Sequence, residues 1–391
     1  MTISRNLEGP LLKLAGSMPV VAVTGPRQSG KTTLCRTAFP DLSYVSLEPV
    51  DVRDYARKDP RGFLEEHRAG AIFDEVQNVP DLLSYLQVEV DENPEPGRFI
   101  LTGSQHFALT ESLSQSLAGR IGILNLLPPS LDELARFGPP RDLWTVLWTG
   151  AYPRIFDRGL DPARWLADYT TTYIQRDVRQ VLNVIDLEAF TTFLSLAAGR
   201  TASELHLSSL GGDAGISHPT VRAWLSVLET SFLCHRLPAW HRSTRKQLVK
   251  VPKLHFLDTG LACYLLGITD PAQLRHHPLR GALFESWVVA EVLKSRLHRG
   301  LPKRMFHLRQ TRGLEIDLLV QEGERLIATE AKSGATVSGD FFKHLRAFGK
   351  DVSEHEAHLA YDPRLIYGGD AGQRRSDLRV IPWREVQEVE W

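Results

Sequence analysis

A glycine-bearing loop follows a short apolar run near the N-terminus, and it constrains this chain more than any other feature. The run is Val20–Val23, and the pattern G-x-x-x-x-G-K-[ST] is matched by Gly25–Thr32. When an apolar strand ends in such a loop and leads into a helix, backbone N–H groups point at a phosphate. We therefore predict a strand, a helix from about Lys31, and a nucleoside triphosphate bound between them.

The positions of this loop have distinct expected roles. Lys31 is expected to reach the β- and γ-phosphates and so to act in catalysis, and the Thr32 hydroxyl is expected to hold Mg²⁺. The predicted cofactors are thus ATP and Mg²⁺. The residues expected to bind the nucleotide here are Gly25, Pro26, Arg27, Gln28, Ser29, Gly30, Lys31, Thr32 and Thr33.

Two further apolar runs end in polar side chains. Ala71–Phe73 is followed by Asp74 and Glu75, and a later run reaches Thr102 and Ser104. A strand end would deliver Asp74 to the Mg²⁺ ion, and Glu75 would orient or deprotonate the attacking water. Thr102 or Ser104 would sense the γ-phosphate. The alternatives are a solvated turn for the acidic pair and a capped strand end for the hydroxyls.

Arg120 lies directly before the apolar run Ile121–Leu126. An arginine at this place would stabilise the negative charge of a phosphoryl-transfer transition state, within one chain or across a subunit interface. The second case requires a homo-oligomer. The alternative is an ordinary surface arginine.

Composition narrows the class of protein. The chain has 391 residues, 42% of them hydrophobic and 24% charged, and a net charge of −1. This balance indicates a globular protein of more than one domain, and it gives no global attraction to nucleic acid or membrane. The three cysteines are far apart, and we find no secretion signal or apolar run long enough for a bilayer. We therefore expect a cytoplasmic protein without a membrane partner.

The chain divides into three regions with different patterns. Apolar runs alternate with helical patterns in residues 1–150, which favours a mostly parallel α/β sheet. The predicted strands there are Val20–Thr24, Tyr44–Leu47, Ala71–Phe73, Arg98–Thr102 and Ile121–Leu126.

Residues 151–275 have the outline of a helix-turn-helix. A helix over Ser203–Leu210 is predicted, then a glycine-rich turn over Gly211–Gly215, then a helix capped by Ser217. Two strand-like runs, Phe232–Leu237 and Leu248–Leu257, follow and complete the outline of a winged helix.

Residues 276–391 are expected to form a second α/β domain. A helix over Gly281–His298 precedes three predicted strands, Met305–Leu308, Leu314–Val320 and Leu326–Lys332. A further helix near Asp340–Phe348 and two strands, near His358–Tyr361 and Val380–Trp383, complete the region.

Acidic side chains and a lysine are expected to converge on this second sheet. Glu330 and Lys332 are two residues apart and so share one face of a strand, and Asp317 comes from the preceding strand. Glu285 on the preceding helix is a further candidate. Such a group can hold Mg²⁺ and polarise water for phosphodiester hydrolysis, with Asp317, Glu330 and Lys332 as catalytic residues and Glu285, Asp317 and Glu330 as metal ligands.

The order of these elements matches the core of restriction-endonuclease-like nucleases. The pattern D-x(12)-E-x-K is by itself only moderately specific. The alternatives are a hairpin with solvated charges and a nuclease fold that binds without cutting.

Two basic stretches indicate an anionic partner. Seven Lys or Arg residues and no acid occur in residues 294–312, and six and no acid occur in residues 236–253. Trp240 and Phe306 lie within these stretches. Such patches contact phosphates and stack on bases, so we predict nucleic-acid binding, with DNA favoured over RNA. The alternative is a solvated face or a protein-docking surface.

Taken together, these segments resemble the bacterial and archaeal AAA-type P-loop ATPases that carry a C-terminal domain of unknown function. The resemblance implies an ATPase module, a winged-helix module and a nuclease-like module, in that order, over nearly the whole chain. It includes a segment around Arg176 and Asp177 for which we have no physical role. The segments that carry it are Gly25–Thr32, Phe73–Gln77, Leu101–Gln105, Ser116–Arg120, Tyr173–Val178, Pro252–Leu261, Gly281–Glu285 and Glu315–Lys332.

The sequence thus predicts an ATPase whose nucleotide state controls a C-terminal nuclease-like, nucleic-acid-binding module. The alternative is a nucleotide-dependent regulator that binds DNA or a protein without cutting. In both cases we expect an AAA-type ATPase domain over 1–150, a helical and winged-helix domain over 151–275, and a restriction-endonuclease-like domain over 276–391.

Overall fold

The apolar runs of the first region form one parallel sheet. The computed structural model of the chain describes residues 2–103, 117–174, 186–241, 251–310 and 313–391. The five strands are β1 (Val20–Thr24), β2 (Ser43–Ser46), β3 (Ala71–Asp74), β4 (Phe99–Gly103) and β5 (Ile121–Asn125). They are all parallel and lie in the order β2-β3-β4-β1-β5, which confirms the predicted sheet.

Helices cover both faces of this sheet, and this explains why its strands are continuously apolar. Val20 and Ala22 of β1 pack into one core, and Val21 and Val23 pack into the core on the opposite face. The helices are α1 (Glu8–Ala15), α2 (Lys31–Ala38), α3 (Val50–Lys58), α4 (Pro60–Glu66) and α5 (Leu82–Glu92).

The middle region is mainly helical and contains a small antiparallel sheet. Its helices are α6 (Leu131–Leu134), α7 (Leu143–Thr149), α8 (Pro153–Arg158), α9 (Pro162–Tyr169), α10 (Leu187–Gly199), α11 (Leu207–Ala214), α12 (His218–Thr230), α13 (Thr259–Leu265) and α14 (Pro271–His276). Its strands β6 (Ser203–Glu204), β7 (Cys234–Leu237) and β8 (Lys253–Phe256) lie in the order β6-β8-β7.

The predicted helix over Ser203–Leu210 and its glycine turn are wrong in their bounds. Ser203 and Glu204 form a strand, and α11 runs through the glycines to Ala214. The glycines lie inside the helix because Gly211 lets the chain pack closely: a Cβ there would stand 2.8 Å from the Ile216 carbonyl oxygen. The turn is confined to Gly215, at φ +67°, and Ile216. Ser217 caps α12 as predicted.

The C-terminal region holds a mixed six-stranded sheet. A long helix, α15 (Arg280–Leu297), packs on one face, and α16 (Lys343–His355) packs on the other. Strands β9 to β11 are antiparallel, whereas β12 and β14 continue the sheet in parallel. The strands are β9 (Met305–Arg309), β10 (Glu315–Glu322), β11 (Arg325–Lys332), β12 (Ala360–Tyr367), β13 (Gln373–Arg374) and β14 (Arg379–Pro382).

One apolar core crosses the predicted boundary at residue 275. Buried residues up to Leu126 belong to the two cores of the first sheet, whereas a single core from Leu127 to Trp391 contains residues of α10 to α15 and of the C-terminal sheet. The middle and C-terminal regions therefore pack as one body. No helix in the described part of the chain is both long and apolar enough to cross a bilayer.

The two glycines of α11 provide a test of this packing. Gly211→Ala should destabilise the protein by about 1–3 kcal/mol, because the added methyl group collides with the Ile216 carbonyl. Gly212→Ala is the matched control: nothing lies within 4 Å of its Cβ position, so it should stabilise the helix by about 0.5–1 kcal/mol. Urea denaturation of both variants measures the difference, and equal shifts would contradict the packing.

Candidate functional site

The loop between β1 and α2 has the geometry that its glycines predict. Gly30 is left-handed, at φ +95°, and stands directly before α2. A Cβ at Gly25 would lie 2.1 Å from the Leu126 carbonyl oxygen, so only glycine fits there. The loop is held from outside by Arg5, whose Nη1 donates to the Ser29 carbonyl at 2.7 Å.

Lys31 lies at the first position of α2 and is buried. Its Nζ donates to the carbonyl oxygens of Pro26 at 2.8 Å and Gly25 at 3.1 Å. Burial lowers the pKa of Lys31, and the carboxylates of Glu75 and Asp74 oppose that effect. The ammonium group therefore binds the loop itself and is positioned next to the space that phosphates would fill.

Asp74 is the centre of a group of hydroxyls at the carboxyl ends of the strands. Thr32 Oγ1 donates to both of its carboxylate oxygens, at 3.0 and 3.1 Å, and Thr102 Oγ1 donates to Oδ1. The carboxyl ends of β3 and β4 meet the loop because all strands are parallel. Three residues predicted from separate motifs are thus brought together.

Tyr44 is a member of this group that the sequence analysis did not identify. Its hydroxyl donates to Asp74 Oδ2 at 2.7 Å from the neighbouring strand β2. Burial, and then the hydrogen bond to Asp74, raise the pKa of Tyr44 to about 12. The sequence predicted a strand at Tyr44–Leu47, but a strand pattern does not show that the Tyr44 hydroxyl bonds to Asp74.

Glu75 lies beside Asp74 in an unusual backbone conformation. Its φ is +58°, in the left-handed region that non-glycine residues seldom adopt. Its carboxylate accepts a hydrogen bond from Gln77 Nε2. Such backbone conformations are concentrated at functional sites, where the surrounding structure imposes them.

A cleft of about 500 Å³ opens at this place. It is lined by residues 27–33 of the loop and by Asp74 and Glu75. Gly25 and Pro26 are not among the residues that line it, and their carbonyl oxygens accept hydrogen bonds from Lys31 Nζ. The cleft also includes Arg5 and, from the middle region, Phe137, Arg154 and Arg158, which no sequence motif indicated.

Oxygen donors on this cleft fit a magnesium ion. Thr32 provides a hydroxyl and Asp74 a carboxylate, and they lie within hydrogen-bond distance of each other. Mg²⁺ prefers oxygen ligands of this kind and keeps several waters.

Arg120 lies at the opposite edge of the sheet from the loop. Its carbonyl accepts from Val20 N, at the first residue of β1, and its guanidinium binds Asp91. The length of β1, about 13 Å, separates it from the loop. The structure therefore places Arg120 away from the loop of its own chain, and its role at a transition state stays a prediction. Ser104, Arg176 and Asp177 lie outside the described residues.

The predicted carboxylates of the C-terminal region also converge. Lys332 Nζ lies 2.5 Å from Glu330 Oε2 and 3.6 Å from Asp317 Oδ2. Asp317 Oδ2 in turn accepts from Ala331 N at 2.9 Å, across the β10–β11 pair. Glu285, near the start of α15, reaches the same group through a lysine of the middle region.

This second lysine, which no motif indicated, lies inside the group. Lys253 is the first residue of β8, and its Nζ lies 2.9 Å from Glu285 Oε1, 2.8 Å from Glu315 Oε1 and 3.9 Å from Asp317 Oδ1. We call these six residues the acid–lysine cluster: Lys253, Glu285, Glu315, Asp317, Glu330 and Lys332. The sequence shows the spacing of its C-terminal members but gives no reason to add a residue of the middle region.

Burial and mutual charge set the protonation of the cluster. Burial, and then the neighbouring Asp317, raise the pKa values of Glu285 and Glu330 to about 8. Burial also acts to raise the pKa of Glu315, but the hydrogen bond and charge of Lys253 outweigh it and lower that pKa. Burial disfavours the Lys253 ammonium, yet its carboxylates prevail and raise its pKa. The protonation of each acid and lysine in the cluster therefore depends on the charge of its neighbours.

The cluster does not fit a divalent metal in this arrangement. In the described ranges, no group of three or more His, Cys, Asp or Glu side chains is arranged around a common metal position. The carboxylates predicted as ligands, Glu285, Asp317 and Glu330, instead surround two ammonium groups. Their assignment as metal ligands therefore disagrees with this geometry.

The basic stretches contain both buried and exposed side chains where the structure describes them: Arg299, Arg304 and Arg309 are exposed. Lys294 and Arg296 are buried and form ion pairs, with Glu291 and Glu322. Trp240 is buried, and its Nε1 donates to Gln321. Lys294, Arg296 and Trp240 are therefore not available to stack on bases or contact phosphates, and nucleic-acid binding by the exposed residues stays a prediction.

A buried acid joins the nucleotide loop to the C-terminal region. Glu133 lies 3.1 Å from Arg5 Nε, and its Oε2 lies 3.3 Å from Nδ1 of His298, at the end of α15. Arg5 also holds the Ser29 carbonyl of the loop. Burial acts to raise the pKa of Glu133, but His298 and Arg5 outweigh burial and hold it well below its usual range.

The parallel sheet, the loop and the Asp74 group define an AAA-type P-loop ATPase domain. A family model described as "AAA domain" matches residues 17–135. Two models described as domains of unknown function, DUF8612 and DUF4143, match residues 140–272 and 280–386.

Two mycobacterial proteins are similar to most of this chain. It is 32% identical over 338 residues to the uncharacterized protein Rv2008c of Mycobacterium tuberculosis, covering 85% of this chain and 75% of that protein. The uncharacterized protein Mb2031c of Mycobacterium bovis matches to the same extent. The chain belongs to the family of these mycobacterial proteins, and in this chain an AAA-type P-loop ATPase domain precedes two domains of unknown function.

Solved structures show more distant likenesses. The Walker-type ATPase PABY2304 of Pyrococcus abyssi is 16% identical and covers 66% of this chain and 94% of its own, with a TM-score of 0.46. A point variant of RuvB from Thermotoga maritima is 19% identical and covers 60% and 90%, with a TM-score of 0.30. Both TM-scores lie below 0.5, so these likenesses carry no argument about function.

Removing the charge of Glu133 tests the link between the regions. Glu133→Gln should lower the free energy of unfolding by about 3 kcal/mol or more, because it leaves Arg5 buried without its carboxylate. The matched control is Asp132→Asn, which breaks the half-exposed pair with Arg136 and should cost about 1 kcal/mol or less. Similar losses in both variants, measured by chemical denaturation, would contradict a special role for Glu133.

Proposed function

We propose that this protein hydrolyses ATP at the loop Gly25–Thr33. The observation that carries the proposal is the convergence of Thr32 and Asp74 beside Lys31 on one open cleft, with buried Thr102 bonded to Asp74. A phosphate site, an oxygen-donor pair for Mg²⁺ and a candidate base are together what phosphoryl transfer to water requires.

Each residue then has a definite task. Lys31 exchanges the Pro26 and Gly25 carbonyls for phosphate oxygens, so its positive charge is available without rebuilding the loop. Thr32 and Asp74 would hold the Mg²⁺, which neutralises charge on the β- and γ-phosphates when bound. Glu75, held at its unusual backbone angle, accepts a proton from the attacking water.

The hydroxyls around Asp74 position its carboxylate. Tyr44 holds Oδ2 and Thr102 holds Oδ1, so the carboxylate cannot rotate freely. This assigns Tyr44 to positioning, and it makes Thr102 a residue that responds to the γ-phosphate through Asp74.

Substitution at the cleft tests the hydrolysis. Lys31→Ala should abolish nucleotide binding, whereas Glu75→Gln should retain binding and lose about 100-fold or more in kcat, because it removes only the base. Lys58→Ala, at a lysine that is 77% exposed, is the control and should leave turnover unchanged. Phosphate release at saturating ATP and a fluorescent-nucleotide titration measure the two effects. Undiminished turnover in both cleft variants would refute this site.

We infer further that the nucleotide state controls the C-terminal region. The Ser29 carbonyl of the loop, Arg5, Glu133 and His298 form a continuous path of buried contacts to the end of α15. Lys294 on the same helix donates to the Pro129 carbonyl, and Glu291 accepts from Leu131 N. A loop that tightens on a phosphate therefore acts directly on contacts that hold α15.

The controlled module is proposed to be nuclease-like. Its support is the order of elements, a helix, three antiparallel strands, a helix and a parallel strand, together with the acid–lysine cluster on β10 and β11. The partner would be nucleic acid, with DNA favoured over RNA.

One observation favours a second candidate, a nucleotide-dependent regulator that does not cut. Lys253 fills the middle of the cluster, and Lys294, Arg296 and Trp240 of the predicted base-binding surface are internal. In that case the helices α11 and α12 and the strands β7 and β8 would serve as a winged-helix element for docking DNA or protein.

Paired assays separate the two candidates. A nuclease should cut DNA or RNA with Mg²⁺ or Mn²⁺ and lose at least about 100-fold of its rate in Asp317→Ala and Lys332→Ala. A regulator should cut nothing across substrates, metals and nucleotides, and its salt-dependent DNA binding should survive Asp317→Ala. DNA binding in neither the wild type nor the variants, at low salt, would favour protein docking.

A further inference from the structure

Lys253 is an internal cation held by carboxylates of another part of the chain. Its side chain is only 3% exposed. It comes from β8 in the middle region, whereas its acids, Glu285 and the pair Glu315 and Asp317, come from α15 and β10. A buried ammonium costs free energy unless acids surround it, so its place is set by these carboxylates.

The oxygens around Lys253 are those that a divalent cation would use. Three carboxylate oxygens from two elements lie within 3.9 Å of one Nζ atom. Hard divalent cations bind carboxylate oxygens at about 2.0–2.6 Å. Like the ammonium group, they need the negative charge of these carboxylates. Without Lys253, Glu285 and Glu315 would lose the ammonium group that pairs with them, and Asp317 would keep its 3.6 Å contact with Lys332.

A neighbouring acid has an open position. Glu330 Oε1 is buried and makes no hydrogen bond with the described residues, although its other oxygen binds Lys332. His344 Nδ1 lies 3.9 Å from this oxygen. Glu330 Oε1, which lies in the same cluster as Asp317, can therefore accept a contact from one more cation.

We propose that Lys253 is a built-in cation that closes the acid–lysine cluster to divalent metal ions, and that a metal binds there once this ammonium leaves. The proposal rests on the nuclease-like interpretation of the module for the kind of ligand, a divalent cation. It does not depend on ATP hydrolysis. Docking of β8 and metal binding are then mutually exclusive at one site.

The strand that carries Lys253 is fixed on the helix that carries Glu285. His255, on the same face of β8, hydrogen-bonds Ser286 at 3.0 Å, and Ser286 also bonds Thr201 at 2.7 Å. The next residue of β8, Phe256, donates its N–H to Thr201 Oγ1. Lys253 leaves the cluster only if this contact between β8 and α15 loosens, or if the lysine is replaced.

Lys332 is the matched control for Lys253. Both lysines contribute one positive charge to the same cluster, but Lys332 is 33% exposed and approaches from the Glu330 side. Removing either changes the charge equally. Only removal of Lys253 should uncover the oxygens of Glu285, Glu315 and Asp317.

The test is Mn²⁺ binding to the full-length protein without nucleotide, measured by electron paramagnetic resonance of free Mn²⁺. Lys253→Met should gain about one Mn²⁺ per chain, at least about tenfold tighter than wild type, because it uncovers the carboxylate oxygens of Glu285, Glu315 and Asp317. Adding Asp317→Asn should abolish the gain, which separates it from any Mn²⁺ at the nucleotide loop. Lys332→Met should show no such gain.

Two results would overturn the proposal. One is a folded Lys253→Met protein that binds no more Mn²⁺ than wild type. The other needs no change at Lys253: an Mn²⁺ site in the wild type that Asp317→Asn removes, which the closed cluster forbids. If Lys253→Met gains the metal but cuts no nucleic acid, the closure is supported while the nuclease function fails.

Discussion

The buried carboxylate of Glu133 is the interaction on which the arrangement of the regions depends. It holds Arg5 of the N-terminal segment, the N–H of Ser130 at the start of its own helix, and His298 at the end of α15. An acid that is fully buried is stable only when such partners surround it, and each partner belongs to a different part of the fold. Because Arg5 also binds Ser29, the nucleotide loop, the exit from the first sheet and the C-terminal helix share one electrostatic centre.

The helix α15 connects the two candidate sites in this molecule. Glu285 near its start belongs to the acid–lysine cluster, and His298 follows its end beside Glu133. About 20 Å of helix separates them. The helix is buried along most of its length, so its two ends cannot move independently without disrupting the core. One buried helix therefore joins the Glu133 contacts near the nucleotide loop to the contact of Lys253 with Glu285.

The sequence-based predictions were strongest where a local pattern carries its own mechanism. The loop, the parallel strands and the meeting of Thr32, Asp74 and Thr102 follow from strand ends that must share one edge of a parallel sheet. Predictions from local patterns were less accurate where packing between distant residues determines the structure. The glycines of α11 resemble a turn in sequence but lie inside a helix, because Gly211 has no side chain to collide with the Ile216 carbonyl. Charge counting did not separate surface from interior, since Lys294 and Arg296 are buried whereas Arg304 and Arg309 in the same stretch are exposed.

The sequence by itself determined the nucleotide loop, the five-stranded parallel sheet and the candidate acids, because these depend on residue type at short spacing. Only the tertiary structure decided which charges meet. It placed Tyr44 on Asp74, moved Arg120 to the far edge of the sheet, and put Lys253 among carboxylates that begin 32 residues further along the chain. The physical reason is that burial gives each charged group one low-energy partner set, and that set is fixed by the packing of whole helices and strands, which no local pattern contains.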